Sequence, residues 1–252
     1  MDGYQTNIFT KGGISMKISK YKHDGDYSYT LGATLTIELL KCIPEAVEEV
    51  FINSKTESND TLNALCEKFS IKMTVSDKVF SILSPKGNCF VIGVFRKFER
   101  HITEGNHVVL VNPSDAGNVG TIIRTAVGFH INNIAVISPA VDIFDPKVVR
   151  ASMGAVFHLN FTYYESYEKY SAEFRRNNMY SFMLRRSDPI NGTVFKKPYS
   201  LIFGNEATGL PDNFADFTNP VRIMHTSDID SLNLPIAAAI GMFSATKEEF
   251  EV

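Results

Sequence analysis

The sequence predicts an α/β protein built of two units, and three observations lead there. Short apolar runs rich in Val, Ile and Phe alternate with stretches whose apolar residues recur at helical spacing. The alternation is broken once, at residues 96–105, a charged stretch closed by a glycine that reads as a linker. At 252 residues the chain is also long for one domain and comfortable for two. Strands alternating with helices imply a mainly parallel sheet covered on both faces.

Residues 1–15 carry three glycines and little periodicity, and read as a leader, either a disordered tail or an added remnant. The first unit is expected over residues 16–98. Leu31, Leu35 and Leu39 share one helical face, so the spacing predicts a helix over 31–42, stopped by Pro44. A strand follows at 47–52, then an amphipathic helix at 60–69 capped by Asp60 or Thr61. A β-type run at 71–75, a turn of helix at 78–83 and a strand at 90–95 complete the unit. The second unit, residues 105–252, opens on a strand at 107–111 and a helix at 119–129. Strand 133–137, helix 146–152, strand 157–161 and helix 167–176 come next. Strands at 179–184, 200–203 and 221–223 precede a long closing helix at 234–250.

Composition narrows the function classes. The 44% hydrophobic and 21% charged content is that of an ordinary globular protein. No apolar run approaches the roughly 20 residues of a membrane span, and no secretion signal is read, so a cytoplasmic protein without a membrane partner is expected. Cys42, Cys66 and Cys89 lack metal-ligand spacing and read as small core residues; no metal is expected. Net charge is −3. Residues 1–100 hold 13 Lys/Arg against 12 Asp/Glu, and the rest 12 against 16. A nucleic-acid partner would therefore be held by a local patch, not by overall charge.

Three strand-end loops have the wrong composition for mere connectors. In parallel sheets such loops are where ligands sit. The first runs from Asn112 through Asn118 and Gly120 into Arg124-Thr125-Ala126. Its glycines and helix start suit an anion or carboxylate. Asn118 by itself reads equally well as a helix cap. Arg124 lies in an apolar stretch, where an arginine usually has an assigned partner. The second loop, Phe203-Gly204-Asn205-Glu206-x-x-Gly209-Leu210, sets one carboxylate between two glycines, though a plain surface turn would use the same residues. The third places Ser231 and Asn233 just before Pro235 and an apolar helix, where capping is the simpler reading. Ala237, Ala238, Ala239 and Gly241 in that helix offer a flat surface for another helix.

Order and combination decide what single loops leave open. Asn118-x-Gly120-x-x-x-Arg124-Thr125-Ala126, then Phe203-Gly204-Asn205-Glu206-x-x-Gly209-Leu210, then Ser231-Leu232-Asn233 resembles the three motifs of the SpoU (TrmH-like) branch of the SPOUT methyltransferases. The likeness covers about residues 107–250. Residues 16–98 resemble, more loosely, the L30e-like RNA substrate-binding domain that precedes it in many members. The chain departs from the usual motifs at Ala207, where a glycine is common, at Met224-His225 after Ile223, and at Pro235.

The resemblance implies a deep trefoil knot in the C-terminal domain, S-adenosylmethionine as cofactor, and a homodimer whose interface adjoins the active centre. It implies methyl transfer to a ribose 2′-hydroxyl of structured RNA, ribosomal RNA ahead of transfer RNA, with no DNA partner. Phe203, Gly204, Asn205, Gly209, Ile223, Met224 and Leu232 fall on the cofactor-binding positions. Arg124 falls on the catalytic arginine, with Asn118, Glu206, Ser231 and Asn233 supporting it. A guanidinium has no free acceptor, so Arg124 is expected to orient the hydroxyl and a phosphate and to stabilise the developing alkoxide. Two other classes compete: a catalytically silent RNA-binding protein on the same fold, and a dehydrogenase-type nucleotide enzyme. The second is disfavoured because no Gly-x-Gly-x-x-Gly follows a strand.

Overall fold

The structure is a computed structural model describing residues 6–9, 15–84 and 88–250. It divides into two compact units, residues 1–98 with 144–157, and residues 99–143 with 158–252. In the first unit β1 (Thr6–Phe9) pairs antiparallel with β2 (Ser15–Ile18). Part of the expected leader is thus a strand, while its residues 1–5 and 10–14 lie outside the described residues. There follow β3 (Tyr27–Leu31), α1 (Ala33–Cys42), β4 (Val47–Ile52), α2 (Asp60–Lys68), β5 (Met73–Val75), α3 (Asp77–Leu83) and β6 (Val91–Arg96). The sheet has the order β3-β6-β4-β5, with only the β4–β5 pair parallel.

Two expectations here need correction. Leu31 closes β3 instead of opening a helix. The strand was hidden because Ser28, Tyr29 and Thr30 are all buried, so no apolar–polar alternation marks it. Its buried hydroxyls are satisfied locally: Thr30 Oγ1 accepts from the Gly93 amide at 3.0 Å and bonds Thr36 Oγ1 at 2.8 Å. A Cβ at Gly93 would stand 2.6 Å from Thr30 Oγ1, so only glycine fits that crossing. The cap of α2 is Asn59, one residue earlier than expected, accepting from the Leu62 amide at 2.9 Å.

The second unit starts with β7 (His107–Val111), α4 (Ala116–Gly128) and β8 (Asn133–Ile137). The chain then rejoins the first unit for α5 (Pro146–Ala151), a helix that its place after the linker puts, in the sequence, in the second. Its flanks carry aromatic anchors: Phe144 and Phe157 both meet the Phe95 ring edge-on, at 6.0 and 5.4 Å, and Ser28 donates to the Phe144 carbonyl. Residues 155–158 form a 3₁₀ turn, so the expected strand begins later, as β9 (Asn160–Tyr164). Then come α6 (Tyr167–Glu173), β10 (Asn178–Phe182), β11 (Asp188–Pro189), β12 (Tyr199–Phe203), β13 (Asn219–Arg222) and α7 (Leu234–Thr246). A 3₁₀ turn, Lys247–Phe250, ends what was read as one helix.

These strands make a seven-stranded sheet of order β11-β13-β10-β12-β7-β8-β9, parallel throughout, as expected for its alternating elements. The central β7 and β12 are buried along their whole length. No described helix is long and apolar enough to cross a membrane.

At the amino end of the two central strands runs a buried polar chain. Asn177 Nδ2 donates to Ser200 Oγ at 3.0 Å, and Ser200 bonds the Tyr170 hydroxyl. Tyr170 lies 2.8 Å from His107 Nδ1, and His107 Nε2 lies 2.8 Å from the Thr103 carbonyl. A carbonyl only accepts, so Nε2 carries the hydrogen and Nδ1 accepts from Tyr170. Burial outweighs the Thr103 hydrogen bond and holds the His107 pKa below its ordinary value. Its neutral form therefore adds stability in full above the unfolded-state pKa of about 6.5, and that stability is lost as pH falls toward the folded value. Urea unfolding followed between about pH 7 and pH 5 should show stability falling by up to about 1.4 kcal/mol per pH unit, with the slope flattened in His107→Gln.

Candidate active site

Because β7, β12, β10 and β13 are adjacent and parallel, their following loops emerge on one edge of the sheet. There a cleft of about 310 Å³ opens. Phe182, Phe203, Met183 and Leu234 supply apolar walls, and Asn205, Glu206, His225, Asp230 and Ser231 supply polar groups. Phe182 and Phe203 stack at 4.5 Å with an interplanar angle of 21°. Beneath them Gly241 of α7 comes so close that a Cβ there would lie 2.6 Å from the Phe182 ring. Ala238 and Gly241 are thus buried against the chain's own sheet. Of the four small residues read as a surface for another helix, Ala238 and Gly241 are used internally, while Ala237 and Ala239 are partly exposed.

Glu206 joins two of the loops. Its carboxylate accepts from the Ser114 amide (3.2 Å) and hydroxyl (2.9 Å), the Asp115 amide (3.1 Å), Asn118 Nδ2 (3.4 Å) and Asn205 Nδ2 (3.3 Å). Partial burial opposes its ionisation, yet the hydrogen bonds together prevail and hold the carboxyl below its ordinary range. Asn205 Nδ2 also reaches the carbonyl of Asn112, a residue in left-handed conformation (φ 53°). Asp115 caps α4 by accepting from the Asn118 amide at 2.7 Å. The helix therefore starts three residues before the expected 119, and the Asn118 side chain, not needed as a cap, turns to Glu206.

The loop after β12 folds back on itself. Asn205 Oδ1 accepts from the amides of Ala207 (2.9 Å) and Thr208 (3.3 Å), and the Gly209 amide donates to the Asn205 carbonyl at 2.9 Å. Gly209 has φ +67°, and a Cβ on Gly204 would lie 2.2–2.5 Å from the Gly209 and Leu210 backbone. Ala207 is not among the residues of positive φ, so the alanine in place of the usual glycine carries no backbone strain.

Of the residues singled out from the sequence, Phe203, Gly204, Asn205, Glu206, Gly209, Ile223, Ser231 and Leu232 line the cleft together. Asn118 is joined to it through Glu206. Met224 is 54% exposed and points away. Asn233 heads α7 without a side-chain cap bond, its carbonyl accepting from Ala237 at 3.0 Å. Arg124 is exposed and has no hydrogen-bond or ion-pair partner among the described residues. Its neighbours Val119, Ile122, Ile123 and Ala126 are buried on the opposite side of α4, so an apolar sequence context did not mean an apolar environment. Ser114, Asp115, Phe182, Met183 and Asp230 were not singled out, and His225 was noted only as a departure from the usual motif. A Ser-Asp pair before a helix is the signal of a cap, and nothing in the sequence links either to Glu206.

The lining suits S-adenosylmethionine: aromatic and aliphatic walls for a purine, and carboxylates of Glu206 and Asp230 near which positive charge is favoured. Glu206→Gln would turn an amide toward N–H and O–H donors. It should cost about 1–2 kcal/mol in thermal unfolding at neutral pH and remove stability that the native carboxylate contributes above about pH 4.5 and loses below it. Gly204→Ala should abolish cofactor binding in calorimetry, because the loop cannot close around a methyl group.

Comparison with known proteins places the chain in a family. The SpoU rRNA Methylase family matches residues 105–243. A 23S rRNA (guanosine(2553)-2′-O)-methyltransferase of Bacillus subtilis is 24% identical over 83% of this chain and 84% of its own. An uncharacterised tRNA/rRNA methyltransferase of Synechocystis sp. is 27% identical, and there the match spans 57% of this chain and only 53% of the relative. The crystal structure of an AdoMet-bound rRNA methyltransferase from Sinorhizobium meliloti superposes with a TM-score of 0.76 at 26% identity, covering 90% of this chain and 89% of that one. With the family matched over more than half its length, the chain belongs to the SpoU methylases.

Proposed function

We propose that this SpoU-family chain transfers a methyl group from S-adenosylmethionine to a ribose 2′-hydroxyl of structured cytoplasmic RNA, with ribosomal RNA the first candidate and transfer RNA the second. The observation that carries this reading is the Glu206 clasp, which holds the Asn112–Asn118 segment against the cleft that suits the cofactor. The cofactor supplies an electrophilic methyl group on a sulfonium. Everything else falls to the protein: Ser231 and Asn233 orient the ribose, and Asn118 is held by Glu206. Arg124 directs a phosphate and the attacking hydroxyl and stabilises the oxygen as its proton passes to water. Glu206 itself is a positioning residue, since its lone pairs are already taken by five donors.

Arg124 stands outside the cleft of its own chain, which favours an active centre completed by a second copy. The α7 face turned to solvent supports a homodimer: Ile236 and Phe243 are more than half exposed and Ile240 lies between them, at helical spacing. Phe129, the residue that caps the end of α4, extends the stripe, 6.3 Å from Phe243. The trefoil knot comes with the family. Lysines and arginines of residues 16–98, the L30e-like RNA-binding domain, would hold RNA phosphates without reading sequence.

The reading is tested by incubating the protein with S-adenosylmethionine and RNA from cells lacking it, then mapping new 2′-O-methyl positions. Absence of transfer to ribosomal or transfer RNA would refute it. Arg124→Ala should lower the transfer rate by about 10²–10³-fold while leaving cofactor affinity in calorimetry unchanged, and Arg124→Lys should not restore it. Ile236→Asp should convert a dimer to a monomer in sedimentation analysis.

A further inference from the structure

The stretch Val221–His225 enters the cleft in a regular way. Val221, Ile223 and His225 line it, whereas Arg222 and Met224 do not. Alternate residues of an extended chain face one side, so these three form a single wall, apolar at Val221 and Ile223 and polar at its end. His225 Nδ1 lies 2.9 Å from the Thr226 carbonyl, which can only accept, so Nδ1 carries a hydrogen and the ring is held in one orientation. Nε2, at the other side of the ring, has no partner among the described residues. In the neutral imidazole it is an acceptor. The two carboxylates of the rim are placed differently: Glu206 is saturated by five donors, and Asp230 is exposed to solvent.

A flat apolar wall ending in one oriented acceptor matches a purine that lies on the wall and carries an N–H donor at its edge. We propose that His225 Nε2 accepts a hydrogen bond from the exocyclic 6-amino group of the cofactor's adenine, making His225 the residue that selects an aminopurine. The inference rests on the cleft being the S-adenosylmethionine site. A 6-oxopurine offers an acceptor where adenine offers a donor, so two lone pairs would face each other and the analogue would be rejected.

The probes are S-adenosylhomocysteine, left when the methyl group has gone, and its 6-oxo counterpart S-inosylhomocysteine, both measured by calorimetry. The native chain should prefer the adenosyl compound by about tenfold or more. His225→Phe, which keeps the ring but loses both nitrogens, should bring the two affinities within about twofold, and His225→Gln should restore part of the preference. In the native chain, ¹⁵N spectra of His225 should show Nε2 moving on addition of S-adenosylhomocysteine while Nδ1 stays, a result independent of how any variant folds. Equal loss of both ligands in His225→Phe, or an unmoved Nε2 resonance, would overturn the proposal. A native chain that binds neither compound would overturn the cofactor reading beneath it, whereas one that binds both equally overturns only the role of His225.

Discussion

A carboxylate shared by two strand-end loops is the constraint on which the site depends. A parallel sheet brings the ends of β7 and β12 side by side but does nothing to fix the loops that follow them. Glu206 supplies that fixation by collecting amides from Ser114 and Asp115 and side-chain donors from Ser114, Asn118 and Asn205. The left-handed turn at Asn112, the cap at Asp115 and the direction of the Asn118 side chain all follow from it or share its partners. An aspartate would be one methylene too short to reach across, and a glutamine would present hydrogens to hydrogens. Ionisation is part of the device, since charge-assisted bonds of this kind are stronger than neutral ones.

The opposite wall depends on steric closeness instead of charge. Gly241 lets α7 lie directly on the stacked Phe182 and Phe203 rings, and those rings are the floor on which a ligand would rest. The same helix lends Leu234 and Ala237 to the cleft and shows Ile236, Ile240 and Phe243 to solvent. Inward and outward faces are thus rigidly coupled through thirteen residues of helix. Anything that tilts α7 moves both.

Much of this was legible in the residues. Alternating apolar runs revealed the parallel sheet, whereas each strand-end loop read equally as turn or cap, and only their ordered resemblance to the SpoU motifs implied a cofactor site. What stayed hidden was relational. Burial on both faces of β3 removed the alternation that marks a strand. Arg124 sits in an apolar sentence but on the polar side of its helix, which linear context cannot express. Asn118 resembled a cap because caps and loop ties use the same residue types, and only the geometry shows that Asp115 took that part. His225 reads in the sequence only as a departure from the usual motif; its alignment with Val221 and Ile223 becomes visible only when the cleft is seen.

The excursion of residues 144–157 sets the order in which this protein can acquire structure. During synthesis the first 98 residues leave the ribosome without α5 and without Phe144 and Phe157, whose rings abut Phe95. The unit cannot therefore be completed as a simple prefix. It must wait, with buried positions such as Ser28 and Phe95 still open, while β7, α4 and β8 are made and set aside. Such interleaving ties the fate of the N-terminal unit to successful translation of the first half of the second. A nascent chain that stalls before residue 157 holds two unfinished units, each with exposed apolar surface that chaperones and proteases can read.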